Sequence, residues 1–359
     1  MYKKIVFLLV AAIAFSSFAV SGLAAVKTGS TVTLDGKILN SSYYLSDDEY
    51  YSDIVYLPLR SISEALGYKV EWSSKDKAIV ISNTNKEIFI DQMSGNIKSF
   101  NLKNNSVHDY YMALPVVVKN VTYIEQNFFM EEFNLSVDWD RTIGDINIKT
   151  VKQNSINIIN RIEKSESMTI KTTLQYPEID GLEDKNVQNK INSIFKKAAS
   201  DAKIQGMDTL SEIIPDPDVK IRQFEVYFNY HIKYNQNGLF SITFENYRYT
   251  GGAHGSTIKD AYTFNLKDGT QYKLSDMFKD KVDYVSLISN FVKKQINKRD
   301  IHTTAPFLKI DDEQEFYIDN NGIKVYFQQY AIGAYALGIL EFGADYDDVR
   351  DVLNTELGI

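Results

Sequence analysis

One histidine stands out for its neighbours. His254 sits in Tyr249-Thr250-Gly251-Gly252-Ala253-His254-Gly255, where three glycines let the backbone come close to another surface. An imidazole titrates near neutral pH, so His254 could act as a general base, with Thr250 and Ser256 as the nearest hydroxyl nucleophiles. No acidic orienter is tied to these residues by a motif, so a Ser-His-Asp arrangement is not indicated. We read the loop as a contact surface, with Tyr249, Thr250, Gly251, Gly252, His254 and Gly255 as the candidate ligand-binding residues. The other histidines, His108, His231 and His302, lie in separate segments without metal-ligand spacing. Asp311-Asp312 and Asp347-Asp348 raise the question of glycoside chemistry, which uses two carboxyl groups about 5 to 10 Å apart. Adjacent acids read as solvated surface instead, and Asp347 and Asp348 suit a helix N-terminus before Val349, Val352 and Leu353. The expectation is a binding protein and not an enzyme, with no catalytic residue, metal or cofactor.

What holds such a loop must be a folded chain of some size. The 359 residues are 44% hydrophobic and include 24 tyrosines and 20 phenylalanines, enough for two or three separate cores. The net charge of −8 disfavours nucleic acid and anionic lipid as partners and suits a basic protein. There is no cysteine, so neither disulfides nor lipid attachment through a thiol is available. Lys3 and Lys4, the apolar run Ile5 to Ala19, and the small residues Ser21 to Ala25 read as a secretory signal peptide over residues 1–25. The apolar run is shorter than the roughly 20 residues of a permanent membrane span. A secreted or cell-wall-associated protein is expected.

The first half contains an internal repeat. Tyr56, Glu64, Val70, Trp72, Ile79 and Ile81 recur without gaps as Tyr123, Glu131, Val137, Trp139, Ile146 and Ile148. Each copy reads as strand, helix, strand, strand: Leu59, Ile62, Ser63 and Leu66 have helical spacing, Gly67 stops the helix, and two alternating segments follow. Trp72 and Trp139 are expected to be core residues. The second copy departs from the first where Pro58-Leu59-Arg60 becomes Glu125-Gln126-Asn127.

Residues 151–165 read as a linker, 166–218 as a small α+β segment, and 219–359 as a C-terminal α+β domain. Val187, Ile191, Ile194, Phe195, Ala198 and Ala202 form one helical stripe. Phe224, Val226, Phe228, Tyr230, Ile232 and Tyr234 alternate with Glu225, Asn229, His231 and Lys233 in a long strand beyond the Pro215-Asp216-Pro217-Asp218 breaker. Asn235-Gln236-Asn237-Gly238 turns it into a second strand at Phe240, Ile242 and Phe244. Further strands are expected at Tyr262 to Leu266, Tyr272 to Leu274, Phe316 to Ile318 and Ile323 to Phe327, with a helix over Tyr284 to Ile296. The fold class is α+β: a tandem repeat, then antiparallel sheets backed by helices.

Two resemblances attach to these residues. Tyr56-Leu57-Pro58-Leu59-Arg60 and Ala65-Leu66-Gly67-Tyr68-Lys69-Val70-Glu71-Trp72 make residues 26–150 similar to the copper amine oxidase N-terminal-like domain, a repeat module of exported Firmicute proteins. Copper(II) wants clustered imidazoles, and this half holds only His108, so the resemblance does not bring oxidase chemistry. Residues from about 166 to 355 resemble the PdaC-like and RsiV-like extracellular region of lysozyme-sensing anti-sigma factors. The loop at 249–255, Asn265-Leu266-Lys267-Asp268-Gly269 and the segment Tyr330 to Gly338 carry that likeness. It implies an envelope protein that recognises lysozyme or another cell-wall hydrolase. A peptidoglycan-binding protein anchored through the N-terminal repeat is the alternative.

Overall fold

The computed structural model describes residues 31–45, 54–112, 114–140, 142–212 and 223–359. The expected signal peptide and the 215–218 breaker lie outside the described residues. In the first half, β1 (Val32–Leu34), β2 (Lys37–Leu39) and β3 (Tyr44–Leu45) precede the first repeat copy. That copy is β4 (Val55–Pro58), α1 (Leu59–Ala65), β5 (Lys69–Ser73) and β6 (Ala78–Ser82). A meander continues through β7 (Lys86–Asp91), β8 (Asn96–Asn101) and β9 (Ser106–Tyr111), then β10 (Val116–Val118). The second copy is β11 (Val121–Glu125), α2 (Gln126–Phe133), β12 (Leu135–Asp140) and β13 (Asp145–Thr150). Both copies therefore take the strand, helix, strand, strand form. Gly67 at φ +85° and Asn134 at φ 56° end the two helices in left-handed conformations.

The copies interlock. Strands β4 and β11 pair antiparallel, with Leu57 opposite Ile124, and β1 runs parallel to β13, with Val32 opposite Ile146. Leu57, Ile62, Ile81, Ile124, Phe128, Phe129 and Ile148 are all fully buried in the shared core. One expectation fails here. Trp139 packs against this core, but Trp72 is 53% exposed. Strand β5 is the open edge of its sheet, so Trp72 heads a transverse row in which burial begins only at Ile79, Ile90, Ile97 and Tyr110.

The second half is built on one five-stranded sheet. Its members are β14 (Asn157–Glu166), β15 (Ile170–Asp180), β16 (Phe224–Gln236), β17 (Leu239–Tyr249) and β18 (Ser256–Asn265), in that spatial order. Strands β15 and β16 are parallel, and the connection between them contains α3 (Lys185–Glu212). Val187, Ile191, Phe195 and Ala202 of α3 bury against Val226, Phe228, Phe240, Ile242 and Phe244, each large apolar side chain contributing about 1.5–3 kcal/mol. Gly206 brings the helix onto the sheet, because a Cβ there would sit 2.4 Å from Val226 Cγ2. Strand β14 occupies most of the segment read as a linker, and the sheet joins strands from residues 157–180 with strands from residues 224–265. Strand β14 escaped notice because Asn157 to Glu166 is a polar edge strand without a buried face.

A smaller layer closes the chain, comprising α4 (Tyr284–Lys298), β19 (Phe316–Ile318), β20 (Gly322–Phe327), β21 (Leu340–Asp345) and α5 (Tyr346–Val349). Ile288, Val292 and Ile296 of α4 pack with Ile318, Val325 and Phe342. The strand expected near Tyr272 is instead an isolated bridge from Gln271 to Phe264, followed by a 3-10 turn at Leu274–Met277. The architecture is α+β throughout.

The two halves pack together at a fork in the central sheet. Parallel pairing of β15 with β16 ends at Leu174 opposite Phe228. The next residue of each strand, Gln175 and Asn229, bonds to Asp109 on β9. Gln175 accepts from the Asp109 amide at 3.1 Å and donates to its carbonyl at 2.5 Å, while Asn229 and the Tyr227 hydroxyl donate to the same carbonyl at 3.3 and 2.7 Å. The outer edge of β9 is thus satisfied by side chains of the second half.

Candidate functional site

The glycine-histidine loop joins β17 to β18 and meets the segment from Tyr330 to Gly338. Its fold follows from three contacts. Gly251 turns the chain at φ +83°, which favours glycine. Gly255 must be glycine because the Tyr247 ring lies over it; a Cβ would come within 2.3 Å of Tyr247 Cε2. The Gly255 carbonyl then accepts two hydrogen bonds, from the Tyr335 hydroxyl at 2.8 Å and from His254 Nδ1 at 3.0 Å. The His254 ring stacks on Tyr335 at 3.8 Å between centroids, and Tyr330 lies 5.6 Å beyond.

These contacts define what His254 can do. With Nδ1 donating to a carbonyl, a neutral ring leaves Nε2 as an acceptor. Thr250, Gly252, Ala253 and His254 are exposed, Gly251 and Tyr249 are half-buried, and Tyr249 donates to the Gly252 carbonyl at 3.0 Å. The base of the loop is fixed by the neighbouring edge: Gln329 accepts from the Thr257 amide, and Gln328 bonds both the amide and the carbonyl of Lys259. The result is a small, held surface of aromatic faces and open backbone.

A second polar centre lies where the halves meet, and sequence reasoning missed it. His108 on β9 and His231 on β16 come to 6.5 Å between ring centroids. His108 stacks between Tyr110 and Tyr230, at 4.8 and 4.3 Å, and bonds Asn229 through Nε2 at 2.8 Å. Burial, reinforced by His231, lowers its pKa to about 4. Glu131 on α2 receives His231 Nδ1 at 2.8 Å and Lys233 Nζ at 2.6 Å. Burial alone would raise that carboxyl, but the charge of Lys233 and the hydrogen bonds from Lys233 and His231 outweigh it and hold it well below the usual range. Glu132 is similarly gripped by Lys86 at 2.6 Å and by the hydroxyls of Tyr110 and Ser99. A cavity of about 140 Å³ lies among Lys86, His108, Glu132, Asn160 and His231.

The same network reaches the last layer of the protein. Lys259 bonds Glu341 at 2.5 Å and lies 3.3 Å from Glu245, and Tyr317 donates to Glu341. Glu125, which replaces Pro58 of the first copy, faces this network. Burial raises its carboxyl to about 7, with Glu131 and Glu341 adding to the effect against the pull of Lys233. Copy divergence was the available signal. Glu131 corresponds to Glu64, which is exposed and pairs only with its own helix neighbour Arg60 at 2.9 Å.

Among the described residues, no group of three His, Cys, Asp or Glu side chains is arranged to hold a metal. Of the carboxylate pairs, Asp347 pairs with Arg350 on the surface and Asp311 accepts from the Glu313 amide in a turn. No helix among the described residues is long and apolar enough to cross a membrane.

The fold and these two centres define an α+β protein of two docked halves with an exposed aromatic loop on the second. Family models place those halves. The copper amine oxidase N-terminal domain matches residues 39–148, deacetylase PdaC matches 163–257, and the protein of unknown function DUF3298 matches 275–346. Over 176 residues the chain is 25% identical to the peptidoglycan-N-acetylmuramic acid deacetylase PdaC of Bacillus subtilis (strain 168). That match covers 46% of this chain and only 37% of the relative, so the chain spans little more than a third of it. Solved DUF3298 family structures from Bacteroides fragilis and Pseudomonas aeruginosa align at TM-scores of 0.44 and 0.41, with 16% and 13% identity. Each alignment covers 58% of this chain, and 98% and 97% of the respective structures.

Proposed function

We propose that this chain is an exported cell-envelope binding protein without a catalytic site, which recognises a basic protein such as lysozyme or another cell-wall hydrolase. The observation that supports this reading is the placement of the loop. His254 stands on Tyr335 at the surface beside the exposed Thr250, Gly252 and Ala253, where a partner can reach an aromatic face and glycine backbone together. His254 is anchored through a backbone carbonyl and a tyrosine face, which suits a contact residue. The net charge of −8 favours encounter with a basic partner. Gel filtration of the protein with lysozyme at low salt tests the reading. Co-elution that is lost in His254→Ala supports it, and separate elution of the two proteins removes it.

A second reading has its own observation. Trp72, exposed at the open edge of β5, offers a stacking face of the kind that glycans use, and the relative named above is a peptidoglycan deacetylase. Sedimentation with purified cell walls, comparing wild type with Trp72→Ala, tests an anchoring role for the repeat.

A further inference from the structure

The central sheet has two faces of different character. Toward α3, strands β16 and β17 present Val226, Phe228, Ile242 and Phe244, all at most 3% exposed. Toward the other side, the uncovered ends of the same strands present Tyr227, Tyr247 and Tyr249, each half-buried. Tyr227 and Tyr247 are directly opposite in register, a relationship that sets Cβ atoms about 5 Å apart. Tyr111 of β9 continues the line, its ring 6.2 Å from Tyr227 and inclined at 65°. At the other end Tyr247 lies against Gly255, which Tyr335 holds. Tyr111, Tyr227 and Tyr247 therefore line one face as a strip from the first half to the glycine-histidine loop.

We propose that the recognition surface is composite, extending along this strip to Tyr111, and that it receives an arginine-bearing face of a basic protein. This rests on the binding function proposed above and adds the first half to it. Charge selects the occupant. Asp91, Asp109 and Glu225 all raise the Tyr111 hydroxyl beyond the effect of burial, and Glu225 does the same at Tyr247, so the strip lies in a negative field. The cations facing it, Lys98 and Lys171, stand 3.9 Å from Asp109 and 3.5 Å from Glu225, at the loose end of ion-pair distances. A guanidinium lays its plane on a tyrosine face while its N–H fork bonds a carboxylate, a fit that a compact ammonium makes less well and for which a neutral sugar lacks the charge. The hydroxyl of Tyr227 is already held by Asp109, so its ring face is what remains for a partner.

Calorimetric titration of the full protein with lysozyme, and separately with a hexa-arginine peptide, tests this. Tyr111→Ala should weaken both by about tenfold, the scale of a contact-residue truncation, and Tyr111→Phe should restore them. Glu225→Gln should flatten the salt dependence, and hexalysine should bind more weakly than hexa-arginine. If His254→Ala abolishes lysozyme binding while Tyr111→Ala and Glu225→Gln leave it unchanged, the composite surface is wrong and the loop-based function stands. If lysozyme binds no variant but hexa-arginine binds in a Tyr111-dependent way, the function fails and the strip stands. Tyr111-dependent binding of soluble wall glycan without any of hexa-arginine would overturn the assigned occupant.

Discussion

Gln175 of the second half bonds both the amide and the carbonyl of Asp109 in the first, at 3.1 and 2.5 Å, as a neighbouring β-strand would. A side-chain amide has one donor end and one acceptor end, so it can complete a strand edge that would otherwise be exposed. The halves are joined through backbone groups whose loss cannot be repaired locally.

Gln175→Ala should therefore leave the Asp109 amide without its acceptor and cost about 1–3 kcal/mol in chemical denaturation. Wild type should unfold with both halves coupled, and the variant should begin to separate into two transitions.

Glu131 holds the junction by charge. Glu131→Ala strands Lys233 and His231 in a buried site and should cost about 3–5 kcal/mol, whereas removing the exposed Glu64 of the first copy should cost less than about 0.5 kcal/mol. Parallel urea titrations of the two variants check the contrast.

His108 makes the protein acid-sensitive. Burial favours its neutral form, with a folded pKa of about 4 against 6.5 when unfolded. The unfolded state takes up the proton first, so stability falls as pH drops from about 6.5 to 4, by up to about 3 kcal/mol. Subtracting the melting profile of His108→Gln from that of wild type should isolate this slope.

Glu125 acts in the opposite direction. Its carboxyl ionises near 4.5 when unfolded and at about 7 when folded, so its contribution is fully present below 4.5 and is lost as pH rises to 7. Glu125→Gln should raise stability at pH 8 by up to about 3 kcal/mol and leave it unchanged at pH 4. Melting temperatures at the two pH values decide it.

Much of the fold was legible because its elements bury one face. The repeat showed through Tyr56, Trp72 and their partners at a fixed spacing, and α3 and β16 through stripes that the sheet and helix bury against each other. The loop was legible because Gly251 turns the chain at a positive φ and Gly255 leaves no room for a Cβ under Tyr247. The junction was not. Asn229, His231 and Lys233 read only as the other face of a strand, since a period-2 pattern reports one buried side and cannot show that another domain covers the second. Trp72 failed for a related reason: equivalence in a repeat fixes local structure, but its position at a sheet edge depends on which strands flank each copy.

The central claim is that the glycine-histidine loop is the binding surface, and lysozyme titration of two glycine variants tests it most directly. Gly255→Ala drives a methyl group into Tyr247 and should reshape the loop, whereas a Cβ at Gly252 meets nothing within 4 Å. The expected result is full binding by wild type, a smaller loss in Gly252→Ala, whose methyl stands at the contact without reshaping the loop, and binding lost or weakened more than tenfold in Gly255→Ala while its melting temperature shows that it remains folded. Equal affinity of all three proteins for lysozyme, or no binding by any of them, would contradict the account.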